Sequence, residues 1–237
     1  MTAYHIYEDS QEVAAAFARQ LAAWVSQKPV FHMALSGGST PKILFDLLAA
    51  EYPEEIDWSK VHIWWGDERC VPPDHEESNY RMTRERLLDK VAIQSAHIHR
   101  VLGENDPQEE AARYAAEIMN HVPQVEGAPR FDLVMLGMGS DGHTASIFPH
   151  EIHLWQVPGW CTVGINPDSG QRRVSFTGDL INAASQIAFL VTGASKVEKL
   201  AAIWHQKPEA KDYPASLVQP KDGALNWYVD KAAAALP

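Results

Sequence analysis

Cysteine is almost missing from this chain. Only Cys70 and Cys161 occur, with no C-x-x-C spacing, so a disulfide framework is excluded and a reducing, cytoplasmic setting is expected. No stretch approaches the roughly 18 consecutive apolar residues of a membrane span. The opening segment MTAYHIYEDS lacks a basic region followed by an apolar one, so no secretory signal is expected either. Positive charge is scarce: 20 Lys and Arg stand against 31 Asp and Glu, a formal net charge of -11. That balance argues against DNA, RNA or an anionic membrane as partner, because each requires a basic footprint. The phosphate-loop pattern G-x-x-x-x-G-K-[ST] is absent, and so is G-x-S-x-G, which sets aside nucleoside triphosphates and a serine nucleophile on a sharp elbow. There are 11 histidines, among them His97-Ile98-His99 and His150-Glu151-Ile152-His153, but no third ligand follows at a recognisable spacing. No metal is therefore expected, scattered histidines being more often surface residues. Repeats, low-complexity linkers and breaks in composition are lacking too. Residues 1–237 read as a single domain, with 46% hydrophobic residues to fill its core.

What is present is alternation. Tyr4 to Tyr7 reads as a short strand, and Asp9-Ser10-Gln11-Glu12 has capping-box spacing before a helix over Val13 to Val25. Further strands are predicted at Val30 to Leu35, Val61 to Trp65, Phe131 to Leu136, Trp160 to Ile165, Arg173 to Thr177 and Ile187 to Thr192. Pro41 sits where the first turn of a helix tolerates proline. Ser78 can cap a helix through Leu88, Asp106-Pro107-Gln108-Glu109 opens another to about Met119, and Ser195 to Trp204 reads as one more. The order implies an α/β fold: a Rossmann-like, mostly parallel sheet with helices on both faces. The eight tryptophans, including Trp64-Trp65, are expected to pack the core or line a pocket, with Trp227 and Tyr228 closing the last element onto the sheet.

The chemistry concentrates in FDLVMLGMGSDGHTASIFP, Phe131 to Pro149. A buried strand runs into a glycine-rich turn that delivers Asp141 and His143 beyond its carboxyl end, where ligands bind in open α/β sheets. Histidine can take and return a proton near neutral pH. Gly137 to Gly142 also spells G-x-G-x-x-G, but that dinucleotide fingerprint needs a long helix opening from its last glycine, and Pro149 follows within two turns. Nucleotide binding is not expected.

Three more turns bear on a ligand. Ser36-Gly37-Gly38-Ser39-Thr40-Pro41 lies between a strand and a helix start. Its glycines permit close approach, the helix N-terminus attracts an anion, and Ser36, Ser39 and Thr40 add hydroxyls. A plain capped βα turn is the other reading. Lys196 stands just inside a helix N-terminus, where a cation is mildly unfavourable unless a ligand anion is nearby; a solvated surface lysine is the alternative. In the loop Gly66 to Pro73, Arg69 can clamp phosphate or carboxylate and Asp67 can accept sugar hydroxyls, or the two can form an internal pair that shapes the loop.

Placed together, LSGGSTPKILFDLL, WWGDERCVPPDHEESNYRM, DLVMLGMGSDGHTASIFP, LVTGASKVEKL and PASLVQPKDGALNWYVDKAA, in that order over nearly the whole chain, resemble the 6-phosphogluconolactonase family. The resemblance implies a Rossmann-like sheet shared with glucosamine-6-phosphate deaminases and ribose-5-phosphate isomerases. It also implies hydrolysis of 6-phospho-D-glucono-1,5-lactone in the oxidative pentose phosphate pathway. A δ-lactone is already an activated ester, so no cofactor or metal is expected, and the expected state is a monomer or weak homo-oligomer. His143 falls on the family's DGHTAS histidine and would be the general base; Asp141 would orient it or bind substrate. The SGGSTP turn, Arg69 and Lys196 are similar to the family's phosphate and sugar contacts. Arg173 is a candidate of the same kind, with Arg172 beside it leaving the choice open. The nearest alternative, a glucosamine-6-phosphate deaminase, resembles DGHIAFNEP at this loop, with a glutamate before the proline. Phe148 stands there instead and cannot exchange protons. A sugar-phosphate sensor without turnover is the alternative from another class; a DNA-binding one would need a basic helix-turn-helix that these residues lack.

Overall fold

Hydrophobic alternation splits each central strand between two cores. In the computed structural model, which describes residues 2–235, β2 (Phe31–Leu35) turns Met33 and Leu35 to one face and Ala34 to the other. In β3 (Val61–Trp65) the adjacent tryptophans divide the same way, Trp64 to one core and Trp65 to the other, both essentially inaccessible. Buried on both faces, such strands suit a parallel sheet covered by helices. With β1 (Thr2–Tyr7), β7 (Leu133–Leu136), β10 (Gln186–Val191) and β11 (Ala224–Asp230) they form a six-stranded sheet in the order β1-β11-β10-β7-β2-β3, every pairing parallel.

The helices α1 (Ser10–Ser26) and α2 (Ser39–Glu51) cover one face through Phe17, Leu21, Leu44 and Phe45. On the other, Tyr114 and Ile118 of α4 (Pro107–His121), Leu180 of α5 (Gly178–Asn182), Leu200 of α6 (Val197–Trp204) and Ala233 of α7 (Lys231–Ala234) surround Trp64, Phe189 and Trp227. Local chemistry starts these helices as expected. The Asp9 carboxylate accepts the Gln11 and Glu12 N–H groups at the start of α1, and Asp106 does the same for Gln108 and Glu109 ahead of α4. Ser78 caps α3 (Asn79–Arg86) through Arg81 N.

Two expectations need correction. Gly66 to Pro73 is not merely a loop: Asp67–Arg69 forms strand β4, paired antiparallel with β9 (Arg172–Phe176), which pairs in turn with β8 (Cys161–Ile165). Charged residues read poorly as strand, but here backbone pairing to β9 outweighs propensity. Helix α6 begins at Val197, after a tight 3₁₀ turn over Ala194–Lys196, so Lys196 flanks the helix rather than lying inside it. A small hairpin, β5 (Gln124–Val125) and β6 (Ala128–Pro129), completes the list of strands. Among the described residues no helix is long and apolar enough to cross a membrane, and Cys70 and Cys161 are both free.

Strand order decides where a ligand belongs. From β2 the chain proceeds through α2 to β3 at one edge, whereas from β7 it proceeds toward β10 and β11 on the other side. The crevice past the carboxyl ends of β2 and β7 is thus a topological switch point. The SGGSTP turn leaves β2 there and the GMGSDGH turn leaves β7.

Candidate active site

The two turns touch. A Cβ on Gly137 would lie 3.6 Å from the Ser36 hydroxyl oxygen. Between them opens a cleft of about 220 Å³ bordered by Ser36, Gly37, Gly38, Asp67, Arg69, Gly139, His143, Arg173 and Lys196. Segments far apart in sequence thereby place most of the expected residues around one space, with Asp141 directly behind His143.

His143 Nδ1 lies 2.7 Å from Asp141 Oδ1, and the same oxygen accepts the His143 backbone N–H at 3.1 Å. A carboxylate acceptor at Nδ1 selects the tautomer protonated there and leaves Nε2 with its lone pair free. Burial raises the Asp141 carboxyl, but hydrogen bonds and charge from His143 outweigh it and hold the group below its usual range. The turn is closed by Gly139 N donating to His143 O at 2.9 Å, and a Cβ on Gly139 would stand 2.2 Å from the imidazole Nδ1, so only glycine fits beneath the ring. Ala145 adopts φ 48°, a strained left-handed backbone at the edge of the cleft. Phe148 is buried and packs on the imidazole, ring centroids 4.6 Å apart.

Cations gather opposite. Arg69 of β4 and Arg173 of β9 are direct partners across the antiparallel ladder. Like charges so placed repel each other unless something negative lies between them. Each also buries an Nε that has no hydrogen-bond partner in the structure. Burial depresses the Arg173 guanidinium below its usual range, Asp67 opposing the effect. Arg172 is exposed, so the structure turns Arg173, not Arg172, toward the cleft. Burial likewise lowers the Lys196 ammonium, partly offset by the charge of Asp141. At the start of α2, Gly38 takes φ 117° and no side chain caps the helix, which leaves its first N–H groups facing the crevice end.

Some residues go elsewhere. Thr40 is buried and its hydroxyl lies 2.7 Å from that of Thr192, so it adds no side-chain donor to the cleft. Ser39 faces a neighbouring hollow that meets the cleft at Gly38 and Arg69. Asp67 makes no ion pair with Arg69: its Oδ2 accepts from Ser146 Oγ at 2.6 Å. Asn79 was missed. Its Nδ2 donates to Asp67 O at 3.0 Å, and its Oδ1 crowds Gly37 so closely that a Cβ there would come within 2.0 Å. The only pointer in the sequence is its position after the cap Ser78. Glu68, which holds the Arg69 and Asn79 backbones, and Ser146, which holds Asp67, lie within GDER and DGHTAS but are not singled out by the sequence.

The histidines also depart from expectation. His32, His62, His97, His99 and His121 are neighbours on the α4 side, toward the opposite end of β2 and β3 from the cleft. His62 Nδ1 lies 3.1 Å from His99 Nε2, and His99 Nδ1 lies 2.9 Å from Glu117. His32 and His99 are buried rather than superficial. No group of the described residues has the arrangement of a metal site.

Residues 8–227 match the family described as glucosamine-6-phosphate isomerases/6-phosphogluconolactonase, and the chain belongs to that family. Its relatives include the 6-phosphogluconolactonase of Treponema pallidum, 45% identical over 199 residues, spanning 84% of this chain and 83% of that one. The 6-phosphogluconolactonase of Haemophilus influenzae is 45% identical over 206 residues, covering 86% and 87% of the two chains. The 6-phosphogluconolactonase structure from Trypanosoma cruzi superposes with a TM-score of 0.87 over 99% of this chain and 96% of that one, at 28% identity. Within the wider family the chain groups with the 6-phosphogluconolactonases. A monomeric glucosamine-6-phosphate deaminase, 19% identical with a TM-score of 0.84, shares the fold.

Proposed function

We propose that this protein hydrolyses 6-phospho-D-glucono-1,5-lactone to 6-phosphogluconate, with His143 as general base. The observation that carries the reading is the Asp141-oriented imidazole standing in the same cleft as the opposed Arg69–Arg173 pair and Lys196. A δ-lactone is an activated ester, so the site needs position, one base and charge stabilisation rather than a covalent nucleophile. The phosphoryl group supplies the anion that suits the opposed Arg69 and Arg173 side chains, Lys196 and the open N-terminus of α2. With it anchored, His143 Nε2 takes a proton from a water whose oxygen attacks the lactone carbonyl carbon. The tetrahedral adduct then collapses with cleavage of the bond from that carbon to the ring oxygen, which receives the proton from the imidazolium. Asp141 stays ionised throughout and stabilises the imidazolium. General-base assistance of this kind contributes about 10²–10⁴-fold. The free side of Asp67 is suited to accept sugar hydroxyls, since Ser146 occupies only one of its oxygens.

A deaminase would need a second proton-transferring group beside the histidine. Phe148 fills that place and offers none.

The test is hydrolysis of freshly prepared 6-phosphogluconolactone above its spontaneous rate, compared with unphosphorylated gluconolactone. The expected kcat/KM ratio is about 10²-fold or more in favour of the phosphorylated lactone, the worth of two charge-assisted hydrogen bonds. Equal values would contradict the phosphate assignment, and ammonia release from glucosamine 6-phosphate would contradict the reaction.

A further inference from the structure

Glu68 carries an ionisable group that the proposed chemistry does not use. The residue is 2% exposed and forms no ion pair among the described residues, yet its carboxylate accepts four hydrogen bonds. Oε1 takes the N–H groups of Arg69 and Asn79, each at 2.8 Å; Oε2 takes the Tyr80 N–H at 2.7 Å and the Ser78 hydroxyl at 3.1 Å. Three of the partners are backbone N–H groups that can only donate and the Ser78 hydroxyl donates too, which is the coordination of a carboxylate; burial raises the group and the three N–H groups oppose that. Three of the donors belong to the first residues of α3 and its cap, where unsatisfied N–H groups favour a negative charge. The fourth is the backbone of Arg69 itself.

One buried charge therefore joins two segments that each furnish the cleft. Arg69 leaves β4, and its Nη1 donates to the carbonyl of Glu77, just ahead of the α3 cap. The guanidinium consequently takes its place from the spacing between β4 and the 77–80 segment, which is the spacing Glu68 sets. Asn79 is held by the same oxygen and pressed against Gly37 in the turn after β2.

We propose that Glu68 is a positioning residue, whose carboxylate sets the stance of Arg69 and Asn79 against the Gly37 turn and so tunes preference for a phosphorylated substrate. This rests on the function proposed above. Glu68→Gln keeps the shape but puts an NH2 group against a backbone N–H whichever oxygen it replaces, those of Arg69 and Asn79 at Oε1 or that of Tyr80 at Oε2, and so loosens the link without emptying the space. The readout is kcat and KM on both the phosphorylated and unphosphorylated lactones, with a thermal melt to confirm folding. For Glu68→Gln, KM for 6-phosphogluconolactone is expected to rise about tenfold with kcat within about threefold, while kcat/KM for gluconolactone stays within about twofold. The preference for phosphate then falls about tenfold. Ser78→Ala removes one of the four donors together with the cap on Arg81 N; with α3 shown intact by the melt, it should shift the same ratio in the same direction by a smaller factor, and decides the matter if Glu68→Gln does not fold. Equal losses on both lactones, or no change on either, would overturn the proposal and leave Glu68 a purely structural cap. A wild-type protein without preference for the phosphorylated lactone would instead refute the phosphate cradle, and this proposal with it.

Discussion

The imidazole of residue 143 is useful as a base only in one tautomer, and a single hydrogen bond selects it. Asp141→Asn can turn an NH2 toward Nδ1, which favours the other tautomer; kcat for the phospholactone is expected to fall about 10²-fold or more with little change in KM, read from steady-state kinetics. Side chains on the anion side should divide differently. Arg173→Ala is expected to raise KM about 10- to 100-fold, the worth of one charge-assisted contact, whereas Arg172→Ala should leave it unchanged because that side chain faces solvent. At this scale the sequence was legible where residue type and chemistry coincide: His143, Asp141, Arg69 and Lys196 all border or brace the cleft. It was mute where role depends on burial. Glu68 looks like one more surface acid in GDER, and Thr40 like one more hydroxyl beside Ser39, until packing buries one beneath α3 and turns the other to Thr192.

Among elements, strands and helices with local signals were read to within a few residues. Val61–Trp65 is as expected, and the caps at Asp9, Ser78 and Asp106 all hold their helices. Elements defined by distant partners were not. Strand β4 exists because β9 pairs with it, and β11, hinted at only by Trp227 and Tyr228, exists because it inserts between β1 and β10. The turn after β2 shows how one element constrains another. Gly37→Ala would drive a methyl into the Asn79 amide, so the cleft must widen. The expected result is a rise in KM for the phospholactone of about tenfold or more, with the melting temperature lowered by a few degrees. An unchanged KM would mean that Asn79 and the turn are not coupled.

For the molecule as a whole, a net charge of -11 surrounds a cleft that collects three cations, so anion capture depends on local donors rather than on long-range attraction. The histidine array toward the other end of the strands gives the fold a pH dependence of its own. Burial, reinforced by the neighbouring His97, His99 and His121, pushes His32 down to about 4, and burial with the same neighbours and His32 pushes His62 to about 4. Both are therefore neutral in the folded chain, while the unfolded chain takes up protons first, near the ordinary histidine value of about 6.5. Their contribution is complete above that pH and is lost as pH falls from about 6.5 toward 4. The melting temperature is expected to decline steadily over that window, and His62→Gln should flatten the decline. A melting temperature independent of pH between 7 and 5 would refute the coupling.

The central claim is that one oriented imidazole removes the proton from water beside an anchored phosphosugar. The most direct measurement is the steady-state hydrolysis of 6-phosphogluconolactone by His143→Ala, corrected for spontaneous opening. A fall in kcat of about 10²–10⁴-fold with KM changed by no more than a few-fold is the predicted result. A kcat close to that of the unaltered protein would contradict it.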